Sequence, residues 1–222
     1  MYQNAHFQAH QYINYKLFFS SYINIHNKFR YIYKSMDKVL QVIDKITTDQ
    51  KVKSIINSLN DNQERSKNWL IEKSGQFLSM LIDSKIVVLA GWYGNLANKL
   101  SQFSNQKVTS IDINEECKFI GKKLYDNVRF KTEDINNTDV NNYNVVICTS
   151  CEHIKDFNII YDKINNGSLV IFQSNNYKEI KEHVNCKNSL DEFKNSFVLN
   201  KILYSGELRL DKFTRYMIIG IK

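Results

Sequence analysis

From Lys85 onward the chain alternates short, continuously apolar runs with stretches of helical spacing, and few folds accept that order. The run KIVVLA (85–90) has the length and apolarity of a strand covered on both faces. A glycine-containing turn follows, then a helix predicted over about 95–103. KVTSID (107–112) is the second strand, 114–124 the next helix, and VRFKT (128–132) the third strand. YNVVICT (143–149) is the fourth strand, followed by a helix near 154–165. Gly167 then turns the chain into SLVIFQS (168–174), the fifth strand. Repetition of this kind predicts an α/β fold with a mostly parallel sheet built from right-handed βαβ units. The tail differs: FVLNKILYSGEL (197–208) and TRYMIIGIK (214–222) are β-rich runs with a short polar link, which predicts an antiparallel hairpin closing the sheet.

Two helices are expected ahead of the sheet. Apolar residues recur at helical spacing from Asp37 to Leu59, and Asn60-Asp61 offers an N-cap for a helix running to Leu81. Residues 1–35 are rich in Tyr, Phe, His and Asn, lack acidic residues and follow no period. They are expected to be a poorly ordered or leader-like segment, with Met36 as a natural start; a basic, aromatic arm that contacts a partner is the rival. The expected organisation is therefore 1–35 leader-like, 36–84 a helical extension and 85–222 the α/β domain.

Charge narrows the classes of partner. The net charge is +7, but residues 1–36 carry Lys16, Lys28, Arg30 and Lys34 with no acid to offset them. The remaining 26 basic and 23 acidic residues leave only +3, which is not the basic face of a dedicated nucleic-acid binder. RNA or DNA stays open as a substrate. No run approaches the ~18 apolar residues of a membrane span, so a cytoplasmic location is expected. Cys148 and Cys151 have C-x-x-C spacing, but Cys148 lies in an apolar strand and no second pair exists. Packed thiols are expected, and no metal.

Five segments fall where open α/β sheets bind ligands. LAGWYGN (89–95) follows the first strand and opens a helix, where Gly91 and Gly94 permit close backbone approach and the helix start offers free N–H groups. A tight turn alone would also call for glycine. Asp112 ends the second strand 21 residues after Gly91, where a carboxylate can accept both hydroxyls of a ribose; capping the next helix is the alternative. Asp134 follows the third strand and could read an adenine amino group, with Glu133 its competitor. TSCEHI (149–154) puts Ser150, Cys151, Glu152 and His153 at the sheet's carboxyl edge. Glu152 or His153 could act as general base or orient a substrate, or Glu152 could merely cap a helix. QSNNY (173–177), with His183 and Asn185 beyond it, groups neutral hydrogen-bonding side chains suited to an uncharged polar substrate.

Taken together, VVLAGWYGN, Asp112, Asp134, TSCEHI and the terminal hairpin resemble the class I S-adenosylmethionine-dependent methyltransferases over about residues 85–222. The resemblance implies a Rossmann-like seven-stranded sheet of order 3-2-1-4-5-7-6 with the last strand antiparallel. It implies S-adenosyl-L-methionine as cofactor, held by Gly91, Trp92, Tyr93, Gly94, Asp112, Ile113, Asp134, Ile135 and Ser150. It assigns Glu152 and His153 to catalysis and Asn175, Asn176 and Tyr177 to an unidentified acceptor, whether small molecule, protein or nucleic acid. NQERSKNWL (62–70), GWYG, TSCEHI, QSNNY and YSGEL are more narrowly similar to phage-type proteins regarded as methyltransferases of unknown substrate. Two positions depart from the family pattern: Leu89 replaces the usual acid, and Trp92-Tyr93 replaces the middle glycine. Three alternatives stand beside this reading: a cofactor-cleaving enzyme, a non-catalytic binding module, and a nucleotide-dependent oxidoreductase.

Overall fold

A computed structural model describes residues 49–222, except residue 82, together with residues 38 and 41. The chain divides between Thr47 and Thr48, and every element below belongs to the second unit. The leader-like reading of residues 1–35, and the expected helix from Asp37 as far as residue 48 apart from residues 38 and 41, lie outside the described residues.

Helices α1 (Asp49–Ser58) and α2 (Asp61–Ser79) precede the sheet. The expected cap is present: the Asn60 side chain accepts from Gln63 N at 2.9 Å. Trp69, Leu70 and Leu78 on α2 are buried. One polar contact fastens α2 to the sheet interior, where Ser66 Oγ donates to Gln173 Oε1 at 3.1 Å.

The seven strands are β1 (Ile86–Leu89), β2 (Val108–Asp112), β3 (Val128–Thr132), β4 (Val145–Cys148), β5 (Leu169–Asn175), β6 (Lys201–Arg209) and β7 (Thr214–Ile221). Their order is β3-β2-β1-β4-β5-β7-β6, as expected. β1 to β5 pair in parallel, whereas β7 runs antiparallel to both β5 and β6. Every residue of β1, β4 and β5 is buried, which explains why β1, β4 and the first four residues of β5 are continuously apolar. Register aligns Leu89 with Ile111 and Cys148, Cys148 with Phe172, and Phe172 with Ile218, making one apolar row across the sheet. Phe157, Ile160 and Phe193 pack in the same core.

The helices between strands are α3 (Asn95–Leu100), α4 (Glu115–Leu124), α5 (Asn158–Tyr161) and α6 (Leu190–Lys194). Two expectations need correction. The helix near 154–165 is only the four-residue α5, preceded by a 3-10 turn over Cys151–His153, because Asp156 Oδ1 takes the Asn158 N–H and starts the chain anew there. The sequence reading also missed α6, although Ser189 and Glu192 carry the S-x-x-E start signal and Ser189 Oγ accepts from Glu192 N. Cys148 and Cys151 are packed thiols: both are buried and Cys151 Sγ donates to Cys148 O at 3.7 Å.

Reversal of β7 has a consequence for chemistry. An antiparallel strand begins where its parallel neighbour ends, so Arg215 stands opposite Asn175 at the carboxyl edge of the sheet.

Candidate functional site

The turn after β1 departs furthest from ordinary backbone geometry. Ala90 and Trp92 adopt φ of 49° and 51°, a left-handed conformation that costs side-chain-bearing residues of order 1 kcal/mol each. Hydrogen bonds hold the strain: Gly91 N donates to Ile111 O at 2.9 Å, and Trp92 N to Asp112 Oδ2 at 2.9 Å. Neither glycine of the turn can be replaced freely. A Cβ on Gly91 would lie 2.2 Å from Ser110 Oγ, and one on Gly94, where φ is 83°, would lie 2.5 Å from the Phe130 ring. Close packing against β2 and β3 therefore demands the glycines, whatever ligand the turn receives.

A cavity of about 540 Å³ lies at the carboxyl ends of β1, β4 and β5. The β1 turn contributes Gly91, Trp92 and Tyr93, and the β4 end contributes Ser150, Glu152 and His153. Asn175 and Tyr177 come from the end of β5, and α1 and α2 add Ser58, Asn62 and Lys67. The volume suits one organic molecule of cofactor size. Three oxygens on its lining residues, Asn62 Oδ1, Asn95 Oδ1 and Glu152 Oε2, are buried without a hydrogen-bond partner. Buried polar atoms are rarely left so, and several around one cavity point to a polar ligand. Trp92 and Tyr93 stack with centroids 5.5 Å apart; the Tyr93 hydroxyl donates to Ser54 Oγ at 2.9 Å, fixing the ring against α1.

Other sequence-selected residues sit beside the cavity and do not line it. Gly94 is turned onto Phe130. Asp112 stands behind the turn, with Oδ2 on Trp92 N and Oδ1 accepting from Asn114 N at 3.0 Å. The cap of α4 is Asn114, whose side chain accepts from Glu116 N. Asp134 Oδ1 accepts from Asn136 N at 2.9 Å within its own loop. Ile135 packs on the core, whereas Ile113 is 70% exposed beside Asp112. Asn176 requires a correction: its Oδ1 accepts from Thr214 N, so the side chain fastens the start of β7 and is not part of the cavity wall.

Sequence reasoning missed Lys67 and Arg215 and left His183 without a role. Arg215 is a single charge within an apolar strand, and that anomaly was the available signal. Glu152 is 2% exposed; its Oε1 accepts from Asn175 Nδ2 at 2.6 Å and pairs with Arg215 Nη2 at 3.5 Å. Arg215 Nη1 also donates to Thr149 O at 2.7 Å. Desolvation holds the His153 imidazole below its usual pKa, against the opposing pull of Glu152, so the ring is neutral at physiological pH.

Lys67 donates to Ser58 O at 2.7 Å, and burial lowers its pKa from 10.5 to about 8. The folded protein therefore holds this proton less tightly than the unfolded chain. Stability contributed by this group rises with pH between about 8 and 10.5; below 8 both states are protonated and the full penalty, of the order of 3 kcal/mol, applies. Loss of the Ser58 hydrogen bond offsets part of that figure. Lys67→Met is thus expected to stabilise the protein by about 1–2 kcal/mol at pH 7 and to lose that advantage by pH 10.5. Urea midpoints across that range measure it; a pH-independent difference would contradict the burial account.

No helix among the described residues is long and apolar enough to cross a membrane. No family model matches the sequence, and no curated protein does. Sheet order, the reversed β7 and helices ahead of β1 together define the Rossmann-like methyltransferase fold. Solved structures agree. The N-methyltransferase NodS of Bradyrhizobium japonicum WM9, in complex with S-adenosyl-L-homocysteine, superposes with TM-score 0.59 at 10% identity, covering 83% of this chain and 99% of NodS. Magnesium protoporphyrin IX methyltransferase (ChlM) of Synechocystis PCC 6803, with bound SAM, gives TM-score 0.53 at 14% identity over 84% of this chain and 90% of ChlM. YcgJ of Bacillus subtilis gives 0.54 at 11% identity, over 68% and 98% of the two chains.

Proposed function

We propose that the protein is a cytoplasmic, S-adenosyl-L-methionine-dependent methyltransferase whose acceptor enters the cavity between the β4 and β5 ends. The cofactor supplies a methyl group on a sulfonium, already activated for transfer. The observation that carries the reading is the cavity itself: it lies at the carboxyl ends of β1, β4 and β5 against a strained turn, with three unpartnered oxygens on its lining residues. Its residues fit the cofactor's chemistry. The turn Gly91–Tyr93 presents backbone to the methionyl end, and Lys67 and Arg215 supply the cations a carboxylate needs. Asp112, with exposed Ile113 beside it, would receive the ribose and adenine next to the cavity, with Asp134 and Ile135 on the adenine side. Glu152 and His153 face the acceptor, where a neutral His153 can take its proton. Asn175 and Tyr177 would bind the acceptor. In this reading residues 85–222 are the catalytic domain, and the helices ahead of it complete the cofactor side of the cavity.

A second reading has an observation behind it. Both Asp112 oxygens are already bonded to backbone N–H groups, and the carboxylate does not line the cavity, as suits a binding module that has lost transfer. Calorimetry with S-adenosyl-L-methionine and S-adenosyl-L-homocysteine, followed by labelled-methyl transfer into cell-extract fractions, separates the two. Micromolar binding with transfer is expected. Binding without transfer favours the module, and methyl release without acceptor favours cleavage. Asp112→Ala is expected to weaken cofactor binding at least ~10-fold, the equivalent of about 1.4 kcal/mol; unchanged affinity would remove Asp112 from the site. An oxidoreductase is disfavoured by the antiparallel β7, and nicotinamide cofactors serve as the calorimetric control.

A further inference from the structure

We propose that Glu152, His153 and His183 bind a divalent transition-metal ion at the cavity wall. Their ligating atoms lie within 4.8 Å of one another, and all three residues line the cavity. Ligands of a tetrahedral ion at ~2.1 Å lie ~3.4 Å apart, so closure needs movements of about an ångström.

The three side chains come from two segments that are fastened together. Glu152 and His153 belong to the turn after β4, and His183 to the segment after β5. Asn185 joins them: its backbone N donates to Glu152 O at 2.9 Å and its Nδ2 to Ile154 O at 3.0 Å. The imidazoles meet edge to face, with centroids 4.5 Å apart.

Hydrogen bonding leaves one ligand atom free on His183 and one on Glu152. The Tyr177 carbonyl bonded to His183 Nδ1 can only accept, so Nδ1 carries the proton and Nε2 keeps its lone pair. Glu152 uses Oε1 for Asn175 and Arg215, while Oε2 is buried and unpartnered. An orienting contact on one carboxylate oxygen with the other bare is the arrangement of a held ligand. Two imidazoles with one carboxylate suit zinc, cobalt and similar ions better than magnesium, and leave coordination positions open.

Lys67, Lys212 and Arg215 also line the cavity and oppose a cation there. They favour an anionic oxygen in the ion's open position, which would be an oxygen of the acceptor. That last step rests on the methyltransferase reading; ion binding does not, and with the ion bound His153 is a ligand and no longer the base for the acceptor's proton.

The test uses the full chain, stripped of metal by chelation and titrated with Co2+ by visible absorption and with Zn2+ by calorimetry. His6, His10 and His26 lie outside the described residues and are common to all variants, so the readout is the difference between proteins. Wild type is expected to show ligand-field bands that weaken at least ~100-fold in affinity in His153→Ala and His183→Ala. His153 is exposed, so its variant keeps the fold even if the other does not. Equal Co2+ affinity in wild type and His153→Ala overturns the proposal, as does absence of bands in wild type. Cofactor calorimetry runs in parallel. Ion binding without cofactor binding sinks only the proposed function; cofactor binding without ion binding sinks only this site.

Discussion

Gly94→Ala is expected to destabilise the protein by about 3 kcal/mol, the sum of a left-handed penalty near 1 and an overpacking cost near 2. Gly94 has φ of 83° at the start of α3, so alanine must either hold a disfavoured backbone or move the helix start. Its Cβ would also sit 2.5 Å from two carbons of the Phe130 ring, which is 7% exposed and closely packed. Gly121 isolates the second cost: its Cβ would meet the same ring at 2.4 Å, from an ordinary helical position in α4. Gly121→Ala should therefore cost about 2 kcal/mol. In a Phe130→Leu background the Gly121 penalty should largely vanish, while about 1 kcal/mol should persist at Gly94. Urea midpoints of the six proteins, wild type included, decide it. A Gly94→Ala loss below about 0.5 kcal/mol would mean the turn is not held as described. The result also bears on the cavity, because relaxing Gly94 releases the strained turn through Gly91 O, which accepts from Gly94 N at 3.0 Å.

The contrast between Gly94 and Asp112 shows what a sequence can disclose here. The strands themselves were legible because β1, β4 and most of β5 are apolar runs buried on both faces, whereas their order was implied by the family resemblance. The hairpin was legible because β6 and β7 are long and β-rich. Short helices were read less well: α5 was expected but far too long, and α6 was missed. α5 and α6 have four and five residues, too few to show a period, and only cap chemistry betrays them. For the site, the carboxyl-edge rule located Gly91, Ser150, Glu152, His153, Asn175 and Tyr177 around one cavity. Asn176 does not line it, because successive residues at the end of a strand point to opposite faces and only Asn175 faces the cavity. The rule overlooked Arg215 and Lys67 because their places depend on contacts between elements far apart in sequence. Lys67 looks like one more charge on an amphipathic helix until α1 supplies the Ser58 carbonyl. Asp112 ends β2 as its strand predicts, but its carboxylate braces the turn that carries Trp92-Tyr93 in place of the family's middle glycine.

Arg215→Met is expected to cost about 3 kcal/mol, because it leaves Glu152 buried with a charge and one remaining hydrogen-bond donor, Asn175. The figure sits at the low end for a broken buried pair because the Arg215 Nη2 to Glu152 Oε1 distance is a long 3.5 Å, and because Arg215 Nε has no partner to lose. Loss of the Nη1 bond to Thr149 O adds to the cost. Glu152→Gln should be milder, near 1–2 kcal/mol, since an amide oxygen can still accept from Asn175 while Arg215 keeps Thr149. The double variant removes both charges at once and should cost about 1–2 kcal/mol less than the two singles together. Chemical denaturation of the four proteins at pH 7 gives this coupling directly. Additivity within about 0.5 kcal/mol would mean that Arg215 and Glu152 do not sense one another and that the arginine is retained for Thr149 alone. Coupling of the expected size would instead identify the charge on β7 as what holds the Glu152 carboxylate in place in a wall that otherwise offers it little water. The antiparallel reversal of β7 would then do more than complete the sheet: it delivers the countercharge to the edge where β4 and β5 end.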